Sequence, residues 1–194
     1  MTAQVSHTQK GLSTRDRILV EARRLLVDDG YEAVVMRDVA ARCGIKLGNL
    51  QYYFKTRDDL VFAVVEAEAQ QDVEAIHAAL AEDGKGQDVL DTVIFELLNR
   101  WRRKNGAAVY AVLNLMQLHN RRFAGLYKDI YNNHYAAFER VITRVAPGVS
   151  TGEAQMRARL LTALIDGAAF QFGPGHRSEF WSRIADQARA IALG

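Results

Sequence analysis

Residues 14–60 read TRDRILVEARRLLVDDGYEAVVMRDVAARCGIKLGNLQYYFKTRDDL. Within this stretch Ile18, Leu19, Ala22, Leu25 and Leu26 fall on one stripe of a helix, with Arg15, Arg17, Arg23 and Arg24 on the other faces. Thr14 is placed to cap its start, and Gly30 stands just past its end at Asp29. A shorter helix over 36–43 carries Met36, Val39, Ala40 and Cys43 on one face. Gly44 then supplies the tight turn that two closely crossing helices require. A third helix over 47–54 is anchored inward by Leu47, Leu50 and Phe54. Three short amphipathic helices with a glycine turn between the second and third make a helix-turn-helix. Spacing alone fits a generic three-helix bundle equally well.

Working outward, a longer helix starts at Arg57, with Asp58 and Asp59 where the helix dipole favours acids, and runs to about Glu82. The polar stretch Asp83-Gly84-Lys85-Gly86 reads as a loop. Further helices are expected at about 87–104, 107–119, 122–146, 152–172 and 177–193, with Pro147-Gly148 and Gly173-Pro174-Gly175 as breaks. The fold class is therefore all-α: an N-terminal three-helix domain plus a C-terminal helical bundle, about nine helices in all. The expected organisation is a polar arm over 1–13, the helix-turn-helix over 14–60, and the bundle over 61–194, with the functional boundary inside the helix after Arg57.

Composition supports this. The hydrophobic share is 49%, the charged share 25%, and there are only two prolines. A net charge of +2 permits nucleic-acid binding without requiring it, since a local basic patch decides. The single cysteine, Cys43, excludes an internal disulfide framework and lies on a buried stripe, where packing explains it better than redox chemistry. No signal-peptide core or membrane-length apolar run is present, so a cytoplasmic protein with no membrane partner is expected. There is no nucleophile elbow, phosphate loop or dinucleotide fingerprint, so no enzyme activity or cofactor is expected. His119, Asp129 and His134 lack the tight spacing of a metal site, and no metal is expected.

The block 14–60 resembles the DNA-binding domain of the TetR family. The helix-ending glycine, the MRDVAARCGI segment and the GNLQYYFKTRDDL block carry the resemblance. It implies that the third helix enters the major groove. By the resemblance Arg37 opens the second helix near a base or phosphate, while Lys46, Leu47, Gly48 and Asn49 open the recognition helix. Gly48 would allow close approach to the groove. Tyr52 and Tyr53 fill the aromatic block, and Lys55 and Arg57 match basic phosphate-contacting positions. Two residues depart from the pattern. Gln51 replaces the usual tyrosine, leaving its target open between phosphate and base edge, and Val35 replaces a capping hydroxyl worth about 1 kcal/mol. Chemically, lysine and arginine neutralise phosphates, Asn49 or Gln51 can pair with adenine, and Lys46 can pair with guanine.

The resemblance also implies a C-terminal domain that binds a ligand and dimerises. Trp101, Tyr110, Met116, His119, Phe123, Tyr127 and Tyr131 are the candidate ligand residues, although a helical aromatic stripe is more often a plain core. Asn114, Asn132 and His134 are further polar candidates. For a homodimer, Leu160, Leu161, Leu164, Ile165 and Ala168 form one stripe, and Ile184, Ala188 and Ile191 another. The implied function is a repressor that binds a near-palindromic double-stranded operator as a homodimer and is released by an unidentified small-molecule effector, hydrophobic or aromatic by the look of these helices. A dimeric regulator without a ligand is the alternative, and a small enzyme or interaction module the remaining one.

Overall fold

The computed structural model describes residues 13–81, 86–102, 104–171 and 178–194. Among these residues the chain forms nine α-helices and no strand: α1 (Thr14–Asp28), α2 (Met36–Arg42), α3 (Leu47–Tyr53), α4 (Arg57–Ala81), α5 (Gly86–Arg102), α6 (Lys104–Met116), α7 (Arg121–Val145), α8 (Thr151–Gln171) and α9 (Ser178–Leu193). The all-α expectation holds, with ends that differ by a few residues. The cap of α1 is Ser13 rather than Thr14: its hydroxyl accepts from the Asp16 amide at 3.2 Å and donates to the Asp16 carboxylate at 2.6 Å. A 3₁₀ turn at Tyr31–Ala33, unforeseen in the sequence, follows Gly30, whose φ of 91° favours glycine. Gly86 opens α5 instead of closing a loop. α6 begins earlier than expected and stops at Met116, where Gln117 to Asn120 tighten into a turn. Most of the arm, the stretch 83–85 and the turn 173–175 lie outside the described residues.

Packing divides the chain into two compact units, Met1–Ala67 and Glu68–Gly194. In the first, the stripe of α1 closes over α2 and α3. Ile18, Leu26 and Leu50 are fully buried, each stabilising the unit by about 1.5–3 kcal/mol. Gly44, at φ 66°, turns the chain between α2 and α3. α2 starts at Val35 with no side-chain cap. Thr56 and Asp59 compensate at the next helix start: the Thr56 hydroxyl donates to the Asp59 carboxylate at 2.8 Å, and each side chain accepts the other's backbone N–H. Cys43 is half-buried, with its thiol donating to the Arg17 carbonyl at 3.6 Å, and burial pushes its pKa up, which suits a packing role.

In the second unit α5, α7, α8 and α9 share one core around Leu90, Ile94, Phe138, Ile142, Leu161 and Trp181. α7 is the most amphipathic element by sequence: Asn120 caps it, and Phe123, Ile130, Phe138 and Ile142 fall inward. Arg189 ties α9 to α5 through Asp91 at 2.5 Å. No helix among the described residues is long and apolar enough to cross a membrane.

Candidate nucleic-acid interface and a buried polar site

In the first unit, α3 is inserted by two residues and exposes nearly everything else. Leu50 is fully buried and Phe54, just past the helix end, is buried beside it. With those inward, the helical period turns Gly48, Asn49, Gln51, Tyr52 and Tyr53 to the surface, and Lys46 and Lys55 at the two ends are exposed as well. Leu47 is half-buried against the unit. Tyr52, at 75% exposure, is the most open large apolar residue of the described chain, and it meets Tyr53 edge-on with ring centroids 5.3 Å apart. Arg37 is exposed in the first turn of α2. Gly48 has no heavy atom within 4 Å of where a Cβ would sit, so packing within the chain does not require a glycine there.

Arg57 is engaged within the chain. Rather than standing free for phosphate, its guanidinium is half-buried, donates to the Tyr31 carbonyl, pairs with Glu32 at 3.3 Å and lies 3.9 Å from the Tyr31 ring centroid. It fastens the start of α4 to the 3₁₀ turn. Without that turn in view, the sequence could not assign Arg57 this duty. The remaining cations, Arg37, Lys46 and Lys55, flank α3 and give that face its charge.

The second unit contains a cavity of about 20 Å³ lined by Asp72 and Ile76 of α4, Leu97 of α5, His134 and Phe138 of α7, and Thr162, Ile165 and Asp166 of α8. The Tyr110 hydroxyl donates to Asp72 at 2.8 Å, and the Tyr131 hydroxyl donates to Asp166 at 2.7 Å. His134 lies near both tyrosine rings, at 6.2 and 6.0 Å between centroids, and its Nε2 is buried with no hydrogen-bond partner among the described residues. Burial lowers the His134 pKa to about 4, so the ring is neutral near pH 7. Burial raises the Asp166 carboxyl to about 6, with the Tyr131 hydrogen bond pulling it down and the Asp72 charge pushing it up. Both tyrosine hydroxyls are held well above their ordinary range, first by burial and then by the adjacent carboxylates.

Of the candidate ligand residues, only Tyr110 and Tyr131 are tied to this cavity, and through their hydroxyls rather than as lining. Tyr127 stacks on Tyr131 at 4.4 Å one layer away. Phe123 is wholly buried in the core, Met116 is half-buried, and His119 is exposed in the turn after α6; none of the three lines this particular cavity. The Trp101 side chain lies outside the described residues. Asn114 donates to the Tyr110 carbonyl one turn back, and Asn132 is exposed. Asp72 and Asp166 were missed. The signal was present: Asp72 sits between Ala69 and Ile76, and Asp166 between Thr162 and Ala169, carboxylates at core positions of their helices. Among the described residues no group of three His, Cys, Asp or Glu side chains is placed to hold a metal.

The two stripes expected at a dimer interface divide between core and surface. Leu161, Ile165, Ala168 and Ala188 belong to the unit's own core and are out of reach of another chain. Leu164, Ile184 and Ile191 pack partly against that core. Leu160, at 51% exposure, faces outward, together with Met156 and Phe170 on the same helix, which the sequence reading passed over. α8 is apolar on two faces, one turned to the core and one outward.

Residues 18–64 match the family model described as bacterial regulatory proteins, tetR family. The HTH-type transcriptional regulator UidR of Escherichia coli strain K12 is 26% identical over 161 residues, 79% of each chain. Among solved structures, a TetR transcription regulator from Haloarcula marismortui superposes with a TM-score of 0.76 at 20% identity, covering 92% of this chain and 96% of that one. A transcriptional regulator from Saccharomonospora viridis, in complex with choline, superposes with a TM-score of 0.74 at 22% identity, covering 91% and 94%. The relatives are transcriptional regulators, and the family match falls on the unit whose third helix stands exposed. The likeness to the tetR family of bacterial regulatory proteins thus rests on the helix-turn-helix unit, and the all-α fold of the whole chain is that of the solved regulators.

Proposed function

We propose that the protein is a cytoplasmic repressor that binds a near-palindromic operator as a homodimer through the outward face of α3, and that a small molecule bound in the second unit releases it. The observation that carries this reading is the α3 face: Lys46, Asn49, Gln51, Tyr52 and Tyr53 exposed around Gly48, a glycine that intrachain packing does not require. Arg37 and Lys55 extend it with positive charge. Lys and Arg contacts hold the backbone and set register, while Asn49, Gln51 and Lys46 offer base-edge pairing. Two such helices in a symmetric dimer would read half-sites about 34 Å apart. The exposed α8 residues Met156, Leu160 and Phe170, with Gly167 between them allowing close approach, support a dimer surface on that helix.

The ligand arm rests on the cavity and its unsatisfied polar atom, and the choline complex of a structural neighbour is in line with a small-molecule site in this fold. An effector acts only through unequal affinity for the DNA-binding and released states. α4 runs from the first unit into the second and carries Asp72, so it is the element through which occupancy would be felt. The small present volume of the cavity favours a second reading, a dimeric DNA-binding regulator with no ligand. Mobility-shift titration against the protein's own upstream DNA, with random DNA of equal length as control and at two salt concentrations, tests the DNA arm. Preference for the upstream fragment with strong salt dependence is expected; equal, weak binding to both fragments would count against it.

A further inference from the structure

The choice of ligand class rests on the effector reading above and then on the chemistry of the cavity alone. Asp166 is drawn out of water, and its hydrogen bond among the described groups comes from a neutral hydroxyl, Tyr131, which holds the carboxylate in place without balancing its charge. Asp72 faces the same space, held by Tyr110. His134, buried and neutral, leaves Nε2 without a partner. With its proton on Nδ1, that atom presents a lone pair. The Asp166 carboxylate and the His134 imidazole acceptor lack the same thing among the described groups: a positively charged N–H donor. Opposite them, Ile76, Leu97 and Phe138 offer an apolar wall.

We infer that this site binds an organic cation bearing a protonated amine, with the ammonium donating to Asp166 and to His134 Nε2 and the hydrocarbon body lying against Ile76, Leu97 and Phe138. Thr162 completes the ring of groups, although its hydroxyl is already committed to the Ala158 carbonyl at 2.9 Å. This replaces the hydrophobic or aromatic effector suggested by the sequence: the walls are apolar, but the groups that would orient a ligand are anionic. At about 20 Å³ the cavity admits about one water molecule. An amine therefore enters only as the helices carrying Asp72, His134 and Asp166 part, and occupancy selects an opened form of the second unit. A site closed in one state and open in another has the unequal affinity that regulation needs.

The test uses the full-length protein at pH 7.5 with four probes of one shape: 2-phenylethylamine, its N,N,N-trimethyl analogue, 2-phenylethanol and phenylacetate. Thermal shift and calorimetric titration of wild type, Asp166→Asn and His134→Gln are read together. Expected is saturable binding of the primary amine at least tenfold tighter than the alcohol, no binding of phenylacetate, and at least tenfold weakening in Asp166→Asn. His134→Gln should narrow the gap between the primary amine and its trimethyl analogue. Wild-type imidazole proton resonances give a second readout independent of folding in the variants, with those of His134 expected to move on amine addition. Equal binding of amine and alcohol, or an amine response unchanged in Asp166→Asn, overturns the inference. Binding of the alcohol or phenylacetate without the amine overturns it too while leaving the effector reading in place. If none of the four binds while operator binding is intact, the amine inference fails and the effector reading stands.

Discussion

The two units place their polar residues in opposite directions. In the helix-turn-helix unit, Lys46, Asn49, Gln51, Tyr52 and Tyr53 point outward from a small helix held by Leu50 and Phe54, and the core beneath them is mostly apolar, with Glu21 its buried carboxylate among the described residues. In the second unit the notable polar groups, Asp72, His134 and Asp166, point inward among leucines, isoleucines and tyrosines. An outward polar face loses little when a residue is changed, because water takes over the contact. An inward one couples every change to stability, because a buried polar atom left unpaired costs about 1–3 kcal/mol. Substitutions in the first unit should therefore separate function from folding cleanly, and those in the second should not.

The largest expected effect removes the support of the outward face. Leu50→Ala should destabilise the first unit by about 2–5 kcal/mol, since it empties a fully buried site. Loss of DNA binding with the second unit's unfolding transition retained would be visible by calorimetry, and a single unchanged transition would contradict the two-unit description. Next comes Arg57→Ala. The guanidinium holds the Tyr31 carbonyl and Glu32, so stability should fall by about 1.5 kcal/mol. The salt slope of DNA binding should stay that of wild type. A slope reduced by about 0.9 would return Arg57 to the phosphate backbone.

The smallest effect is one of sign, in the cavity. Asp166 has a folded pKa raised to about 6, so its contribution to stability is full below the ordinary carboxylate range and is lost as pH rises through about 6. His134 has a folded pKa lowered to about 4, so its contribution is full above about 6.5 and is lost as pH falls toward 4. Between pH 4 and 6 the two oppose. Glu68 and Asp72 on α4, and Tyr110 and Tyr131 facing from α6 and α7, are common to all the proteins compared, so differences between variants isolate the pair. Relative to wild type, Asp166→Asn should gain stability as pH rises from 4 to 6 and His134→Gln should lose it, measured as denaturation midpoints. Parallel curves would show that neither group is desolvated.

How far the sequence could be read follows the same division. The first unit was legible down to the inward roles of Leu50 and Phe54, because short amphipathic helices with one glycine turn leave few alternatives. The intrachain contacts of Arg57 were not legible because its partners lie on a 3₁₀ turn with no periodic signature. In the second unit the helices were legible, but α8 carries apolar residues on both its core face and its outward face, so periodicity could not say which leucine meets the chain's own core. The cavity went unread for a related reason. Attention to aromatic stripes picks out Phe123, which is core, whereas the informative residues are the two aspartates at positions where an apolar side chain would be ordinary.

The central claim, that the outward face of α3 reads DNA, is tested most directly by one set of mobility-shift titrations. Wild type, Asn49→Ala, Tyr53→Ala and Arg57→Ala are compared on operator and random DNA at two salt concentrations. Asn49→Ala should lose about 1–3 kcal/mol of preference for the operator, Tyr53→Ala should weaken both DNAs alike, and Arg57→Ala should leave preference and salt slope unchanged. Preference retained in Asn49→Ala and affinity retained in Tyr53→Ala, with both proteins folded, would contradict α3 as the reading surface.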